Sequence, residues 1–189
     1  MLVEDLNHIV KRIAYHDDEA AFQELFYYYF DSLLSFSKSF LYNHQLAEEA
    51  VEDVFIRLWE NRQKLAAVQN IKYYLFRSVK NSTLNYLVKH ERKLSLDAAE
   101  VNLEYISHDS PEQLMIASEA LNLIRNAINS LPPACKLIFL LVKEERFKYK
   151  EVAALLNVSV KTVETQMSLA LYRLRKACSG LGNVNMKKP

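Results

Sequence analysis

Apolar residues recur at three- and four-residue intervals along most of the chain, and this spacing places them on one face of an α-helix. In the first half, the pattern predicts three long helices, over about residues 19–42, 45–62 and 71–93. Asp17 or Asp18 stands just before the first helix and can cap its N-terminus. Residues 63–70 are predicted to form a loop.

The second and third helices each have a predicted inward stripe. In the second helix the stripe contains Leu46, Ala50, Val54, Phe55, Leu58 and Trp59. In the third helix the inward positions are predicted to be Tyr74, Leu75, Val79 and Tyr86. At helical spacing beside Leu75, Tyr74 is predicted to belong to the core rather than to stack on a ligand.

The composition changes after residue 94. Residues 95–112 have weak periodicity and no Lys or Arg, which predicts a flexible acidic linker. Ser110 and Pro111 suit the N-cap and first position of the next helix, whose apolar positions are Leu114, Ala117, Leu121, Ile124 and Ile128. That helix ends at Leu131-Pro132-Pro133, and another is predicted over about 134–145.

Helix-breaking residues are scarce and confined to a few places. Glycine occurs only at 180 and 182, and proline only at 111, 132, 133 and 189. The predicted fold is therefore all-α, with two small helical domains joined by the linker. The predicted divisions are an N-terminal domain, a linker, a C-terminal helix-turn-helix domain and a disordered tail, over residues 1–94, 95–112, 113–180 and 181–189.

Charge is distributed unevenly, although the net charge of the chain is only +1. Residues 71–94 carry a net charge of +5 and residues 131–189 carry +7, whereas residues 1–70 carry −6 and residues 95–130 carry −5. Two basic segments separated by acidic ones offer two places for contact with phosphates. The alternative is chance clustering of charges on solvated helices.

Several classes of protein do not fit the sequence. Cys135 and Cys178 are too few and too far apart for a metal cluster or a disulfide framework, so they are predicted to be packing residues. No signal peptide is visible, and the longest apolar run, residues 137–142, cannot span a bilayer. We therefore expect a cytoplasmic, soluble protein without direct membrane insertion.

Residues 149–172 have the features of a helix-turn-helix. Ala153 is small enough for close helix approach, Asn157 stands where the turn needs a left-handed residue, and Ser159 can cap the second helix. The inner face of that helix holds Val163, Met167 and Ala170. The opposite face, which such a motif presents to the major groove, holds Lys161, Glu164, Thr165, Ser168 and Tyr172. An ordinary helical hairpin in a core is the alternative.

The run LPPACKLIFLLVKEERFKYKEVAALLNVSVKTVETQMSLALYRLRK resembles the promoter-binding C-terminal domain of sigma factors. AEEAVEDVFIRLWENR resembles the polymerase-binding helix of the sigma N-terminal domain, and NIKYYLFRSVKNSTLNYLVKHERK resembles the helix that melts and reads the promoter. Over about residues 15–178 the chain resembles the extracytoplasmic-function group of the sigma-70 family. The segment SVKTVETQMSLALYRLR is similar to the corresponding segment of sigma factors from Bacteroidetes-type bacteria.

The resemblance implies three sets of site residues. Polymerase binding is assigned to Glu49, Glu52, Asp53 and Arg57, for which a solvated acidic face is the alternative. Contact with the minus-10 strand is assigned to Asn81, Asn85, Lys89, Arg92 and Lys93. Contact with the minus-35 element is assigned to Lys161, Thr162, Glu164, Thr165, Gln166, Ser168 and Arg173. The chain departs from the family pattern at Glu52, Tyr74, Asn85 and Gln166, so the preferred bases do not carry over.

A sigma factor is not an enzyme and needs no cofactor, since polymerase performs the catalysis. The implied partners are core RNA polymerase, promoter DNA and a membrane-anchored anti-sigma factor, and the chain is expected to be a monomer when free. Two other functions are open. One is an operator-binding regulator with residues 1–110 as a ligand or dimerisation module, and the other is a helical interaction protein such as an anti-sigma-like scaffold.

Overall fold

The computed structural model describes residues 3–41, 43–94 and 119–178. These ranges contain α1 (Val3–His16), α2 (Glu19–Lys38), α3 (His44–Glu60), a 3₁₀ helix (Arg62–Ala67), α4 (Ile71–Leu94), α5 (Glu119–Asn129), α6 (Pro133–Lys143), α7 (Tyr149–Leu156) and α8 (Val160–Cys178). No strand occurs within them, which confirms the predicted all-α fold. The chain divides into two compact units, residues 1–106 and 107–189.

Helix α1 was not predicted, although its pattern is helical. Ile9, Val10, Ile13 and Ala14 are all buried at three- and four-residue spacing. The helix packs against α2 and against the 3₁₀ helix. Asp17 then takes a positive φ of 52°, and Asp18 caps α2 by accepting a hydrogen bond of 3.0 Å from the Ala21 amide, as predicted.

Helix α2 ends about one turn earlier than predicted, whereas the bounds of α3 differ from the prediction by one residue at its start and two at its end. Helix α2 ends at Lys38, and the chain continues in a turn in which the Phe40 and Leu41 amides both donate to the Ser37 carbonyl and the Leu41 side chain is buried. Asn43 then caps α3, with its side-chain oxygen 3.2 Å from the Leu46 amide.

The predicted loop over residues 63–70 is wrong in its first half, where the chain forms the 3₁₀ helix Arg62–Ala67. Leu65 is buried there, which gives this short helix a tertiary contact that local propensity does not reveal. Arg62 donates from its guanidinium to the Trp59 carbonyl at 3.0 Å and also pairs with Asp17. Asn70 caps α4 by accepting from the Tyr73 amide at 3.0 Å.

In α4, the prediction that Tyr74 points inward is wrong. Its side chain is 40% exposed, whereas Leu75, Phe76 and Val79 are buried. Three consecutive apolar residues leave the phase of the helix ambiguous by about 100° per residue. The buried stripe continues through Ser82 and Thr83 to the half-buried Tyr86, which was predicted correctly.

In the second unit, α8 packs against α5, α6 and α7. Cys135 is buried on α6, as predicted for a packing residue, and its thiol donates to the Gln166 carbonyl at 3.3 Å. Ile124, one of the apolar positions of the predicted helix, is 42% exposed, whereas Ala127 on α5 is buried. The predicted linker, the Ser110 cap, the positions at Leu114, Ala117 and Leu121, and the tail lie outside the described residues or side chains.

Candidate nucleic-acid and polymerase interfaces

The turn between α7 and α8 has the geometry that the sequence predicted. Asn157 is left-handed, with φ 57° and ψ 46°. The following amide, that of Val158, donates to the Ala153 carbonyl at 3.0 Å, so the turn closes back on α7. Asparagine tolerates this conformation better than other residues with a side chain, because its short polar group can bond locally.

The N-terminus of α8 is capped by the side chain of Ser159. Its Oγ accepts a hydrogen bond of 2.9 Å from the Thr162 amide and lies 2.8 Å from the Thr162 hydroxyl. At the start of the preceding helix, Glu151 caps α7 by accepting from the Lys148 amide at 2.7 Å. The start of each helix is therefore fixed by short-range contacts that a sequence pattern can specify.

Helix α8 has one buried face, formed by Val163, Met167 and Ala170, which are at most 1% exposed. Ala153 on α7 is also buried, and its small side chain allows the two helices to approach closely. The packing thus agrees with the predicted inner face and holds the helix in a fixed rotation about its axis.

The opposite face of α8 is exposed and polar. The exposed residues there include Lys161, Thr162, Glu164, Thr165, Ser168 and Arg173, whereas Gln166 is half-buried. The Thr165 hydroxyl donates to the Lys161 carbonyl at 2.9 Å, so its oxygen remains available as an acceptor for a base-edge amino group. Lys161 Nζ lies 3.8 Å from Glu164 Oε2, an exposed pair that a phosphate can replace.

Tyr172 adds a large aromatic side chain, 65% exposed, to the same helix. The sequence placed Tyr172 on the face that such a motif presents to the major groove, but did not include it among the residues assigned to the minus-35 element. Arg173, Arg175 and Lys176 follow in the exposed last turns and supply the cationic end of this surface. We call the exposed side of α8 the recognition face, defined by Lys161, Thr162, Glu164, Thr165, Ser168 and Arg173.

In the first unit, α3 brings the four predicted polymerase-binding residues onto one side. Glu49, Glu52, Asp53 and Arg57 are spaced by three or four positions, so they line one helix face. Glu52 and Arg57 are exposed, whereas Glu49 and Asp53 are half-buried. Ile56 lies on the same side of the helix and is 57% exposed, an apolar residue that the sequence prediction did not include. We call these five residues the docking face.

Asp53 has two polar partners within the unit. Arg57 Nη2 lies 3.0 Å from Asp53 Oδ2, and the Tyr86 hydroxyl of α4 donates to the same oxygen at 3.0 Å. Burial, followed by the hydrogen bond and the charge of Asp53, raises the pKa of Tyr86 above its ordinary value. Tyr86 was predicted only as an inward packing position, and no local pattern could have revealed a contact between positions 33 residues apart.

Helix α4 presents the predicted minus-10 residues along one stripe. Asn81, Asn85 and Lys89 are exposed at four-residue spacing. Arg92 and Lys93 belong to the same helix, but their side chains are outside the described part. The exposed side also carries Tyr74, Arg77, Leu84 and Val88, so polar, cationic and apolar groups alternate along it.

Within the described ranges, no group of three or more His, Cys, Asp or Glu side chains is arranged to hold a metal ion. Of the helices in residues 3–41, 43–94 and 119–178, none combines the length and the apolar character needed to cross a membrane. What these surfaces offer is an acidic helix face, a mixed polar and cationic helix stripe, and an exposed helix held by a tight turn. Such surfaces suit recognition of a protein and of nucleic acid.

Two family models match the chain in the order of its two units. A model described as Sigma-70 region 2 matches residues 25–93, and one described as Sigma-70, region 4 matches residues 121–174. The first match contains the docking face and the described α4 stripe, and the second contains the helix-turn-helix. The chain is therefore a sigma-70 protein with regions 2 and 4.

Curated relatives narrow the assignment. The chain is 25% identical over 167 residues to the ECF RNA polymerase sigma factor SigW of Bacillus subtilis, covering 84% of this chain and 89% of the relative. It is 27% identical over 139 residues to the ECF RNA polymerase sigma-E factor of Escherichia coli K12, covering 68% of this chain and 70% of the relative. The chain belongs to the extracytoplasmic-function group of the sigma-70 family.

Solved structures show the same fold. The sigma factor RpoE of Bartonella quintana, in complex with the anti-sigma factor NepR, aligns with a TM-score of 0.56 at 22% identity, covering 84% of this chain and 96% of that chain. CnrH, in complex with the cytosolic domain of CnrY, aligns with a TM-score of 0.51 at 18% identity, covering 93% and 98% of the two chains.

Proposed function

We propose that this protein binds core RNA polymerase and directs promoter-specific initiation of transcription, reading the minus-35 element with region 4 and opening the minus-10 element with region 2. The observation that carries the proposal is the order of two matched regions, each with its own exposed helix surface. Polymerase performs the catalysis, so the chain acts as a specificity factor, not as an enzyme, and it works in the cytoplasm as a monomer without a cofactor.

The proposed division of labour follows the predicted domains. Residues 1–94 bind polymerase and open the promoter, residues 95–112 link the domains, residues 113–180 bind the minus-35 element, and residues 181–189 form a tail. The similarity of the α8 sequence to Bacteroidetes-type sequences supports the proposal that the protein comes from a bacterium of that kind.

The docking face meets polymerase in this proposal. Glu49 and Glu52 offer carboxylates for a basic partner surface, and the exposed Ile56 supplies an apolar anchor between charged neighbours. Asp53 and Arg57 form an ion pair of 3.0 Å on the same side, and Arg57 keeps further guanidinium donors for the partner.

DNA contact is assigned to the two exposed helices. On α4, Asn81 and Asn85 present amides to unstacked bases, while Lys89, Arg92 and Lys93 hold the phosphate backbone. On α8, Lys161 and Arg173 hold phosphates and Thr162, Glu164, Thr165, Gln166 and Ser168 face the base edges. Glu164 accepts hydrogen bonds only, which favours a cytosine amino group within its reach.

An anti-sigma factor is the proposed regulator. The sigma factor RpoE, which shares the fold, was solved in complex with the anti-sigma factor NepR, and CnrH was solved in complex with the cytosolic domain of CnrY. Exposed aromatic residues such as Tyr27, 75% exposed on α2, give an inhibitor apolar surface to cover. A membrane-anchored inhibitor would also connect the chain to a signal that originates outside the cytoplasm.

Polymerase binding tests the first step. Core RNA polymerase from the organism that encodes the chain is titrated with labelled wild-type protein and with Glu52→Lys, which reverses one charge at the centre of the docking face. We expect the variant to bind about fivefold or more weakly, because a reversed charge opposes a complementary surface. Glu24→Lys, an equal charge change at an exposed position of α2, is the control and should bind like wild type.

The outcome separates the sigma factor from the operator-binding regulator. A regulator with residues 1–110 as a ligand or dimerisation module binds duplex DNA tightly without polymerase and as a dimer. Binding of wild-type protein to core polymerase, with weak binding to duplex DNA alone, supports the proposal. Tight duplex binding by a dimer that ignores polymerase would contradict it.

A further inference from the structure

The docking helix α3 and the DNA-facing helix α4 are joined by a small polar network centred on Asp53. One carboxylate oxygen, Oδ2, accepts from both the Tyr86 hydroxyl and the Arg57 guanidinium, each at 3.0 Å. Asp53 and Tyr86 are both half-buried, so water competes less for this contact than for an exposed pair. A charge-assisted hydrogen bond of this kind is stronger and more directional than a neutral one.

Three of the four predicted polymerase-binding residues act on Tyr86. The charges of Asp53 and Glu49 favour its neutral hydroxyl, whereas the charge of Arg57 opposes them. These charges add to the preference for the neutral hydroxyl, which donates to Asp53. If binding of a partner to α3 moves these charges, the electrostatic environment of Tyr86 on α4 changes as well.

The ring of Tyr86 has two further contacts. It packs against the buried cluster of Leu41, Ala47 and Ala50, which fixes the ring between the helices. Lys89 Nζ lies 5.9 Å from the ring centroid, within the range of a cation–π contact. Asn85 precedes Tyr86 directly, so the tyrosine adjoins two of the residues predicted to follow the DNA strand.

Resting on the proposed function, we propose that Tyr86 is a positioning residue that transmits polymerase docking on α3 to the promoter-facing side of α4. The hydrogen bond to Asp53 orients the Tyr86 hydroxyl, and the buried cluster holds the Tyr86 ring in place. The ring in turn positions the ammonium group of Lys89. Asp53 thus acts on promoter opening through Tyr86, in addition to any contact it makes with polymerase.

The test uses Tyr86→Phe, which keeps the ring, its packing and the cation–π contact and removes only the hydroxyl. Holoenzyme made with saturating sigma protein is placed on a promoter that wild type transcribes, carrying a fluorescent base analogue in its minus-10 element. We expect strand opening to slow by about tenfold or more, the effect of losing one hydrogen bond to a charged group. Affinity for core polymerase should change by less than about twofold, since the variant leaves α3 intact.

A double-mutant cycle shows whether the effect passes through Asp53. In an Asp53→Ala background, Tyr86→Phe should have no further effect on opening, whereas Asp53→Asn should rescue part of the rate because its amide oxygen still accepts from the tyrosine. Tyr15→Phe, which changes a tyrosine of α1 that is 66% exposed, is the control for removal of a hydroxyl and should open the promoter like wild type.

Two results would overturn the inference while leaving the proposed function intact. One is a wild-type opening rate for Tyr86→Phe, and the other is a loss of opening that matches an equal loss of core affinity and of melting temperature, which marks a merely structural residue. If wild-type protein itself neither binds polymerase nor supports transcription, the proposed function fails before the variants are compared.

Discussion

A buried pair of hydroxyls joins α2 to α4 and allows a quantitative prediction. Ser37 Oγ and Thr83 Oγ1 lie 2.8 Å apart, and both residues are 0% exposed. Thr83→Val keeps the shape of the side chain but leaves the Ser37 hydroxyl without this partner. A buried polar group that loses its hydrogen bond destabilises the folded state by about 1–3 kcal/mol, so we expect that cost for the single variant.

Replacing both residues should cost less than the sum of the separate changes. Ser37→Ala alone leaves the Thr83 hydroxyl without this hydrogen-bond partner, whereas Ser37→Ala combined with Thr83→Val removes both polar groups. The double variant should lose about 1 kcal/mol or less, because apolar replacement of both partners is close to neutral. The resulting coupling energy is therefore about 1–3 kcal/mol.

Urea unfolding followed by tryptophan fluorescence measures these differences. Trp59 is the single tryptophan of the chain and lies in the same unit as the pair. Its ring packs on Phe22, with centroids 4.9 Å apart, so its emission reports unfolding of that unit. Ser35→Ala, at an exposed position of α2, is the control and should stay within about 0.5 kcal/mol of wild type. Strict additivity of the two changes would refute the argument.

Three further predictions concern stability. The Ser82 hydroxyl is buried with no hydrogen-bond partner among the described residues, so Ser82→Ala should raise the free energy of unfolding by about 1 kcal/mol, measured by tryptophan fluorescence. At the left-handed Asn157, replacement by Gly should be neutral or slightly stabilising, and replacement by Val should cost about 1–2 kcal/mol, measured by circular dichroism; equal effects of the two changes would be inconsistent with the turn. The hydrogen bond from the Ala21 amide, followed by further interactions, lowers the pKa of Asp18 below 3.8, so its carboxylate stabilises the fold above that pH and this contribution is lost as pH falls through the lowered value. Asp18→Asn keeps an acceptor for the cap but does not titrate, and its acid unfolding profile should be flatter than that of wild type.

The helix-turn-helix was predictable because its determinants act over a few residues. The turn at Asn157, the cap at Ser159 and the buried face beginning at Val163 each depend on neighbours within about one helical turn. The same reasoning placed the Asp18 cap correctly, and it predicted that Glu49, Glu52, Asp53 and Arg57 share one side of α3. Short-range chemistry of this kind is visible in a single sequence.

What escaped prediction depends on tertiary packing. Tyr74 was placed inward because three adjacent apolar residues fit more than one helix phase, and the packing of α4 against α2 and α3 decides between them. The 3₁₀ helix forms where Leu65 is buried among distant residues. The contact of Tyr86 with Asp53 joins positions 33 residues apart in two different helices, and hydrophobic periodicity does not predict such contacts.

The most direct test of the sigma role is run-off transcription from a library of genomic promoters with purified chain and core RNA polymerase. Our account predicts transcripts that appear only when both are present, with start sites that share one sequence at the minus-35 position and another at the minus-10 position. Absence of any transcript above core polymerase alone, together with a shift of duplex DNA by the chain without polymerase, would contradict it and favour an operator-binding regulator.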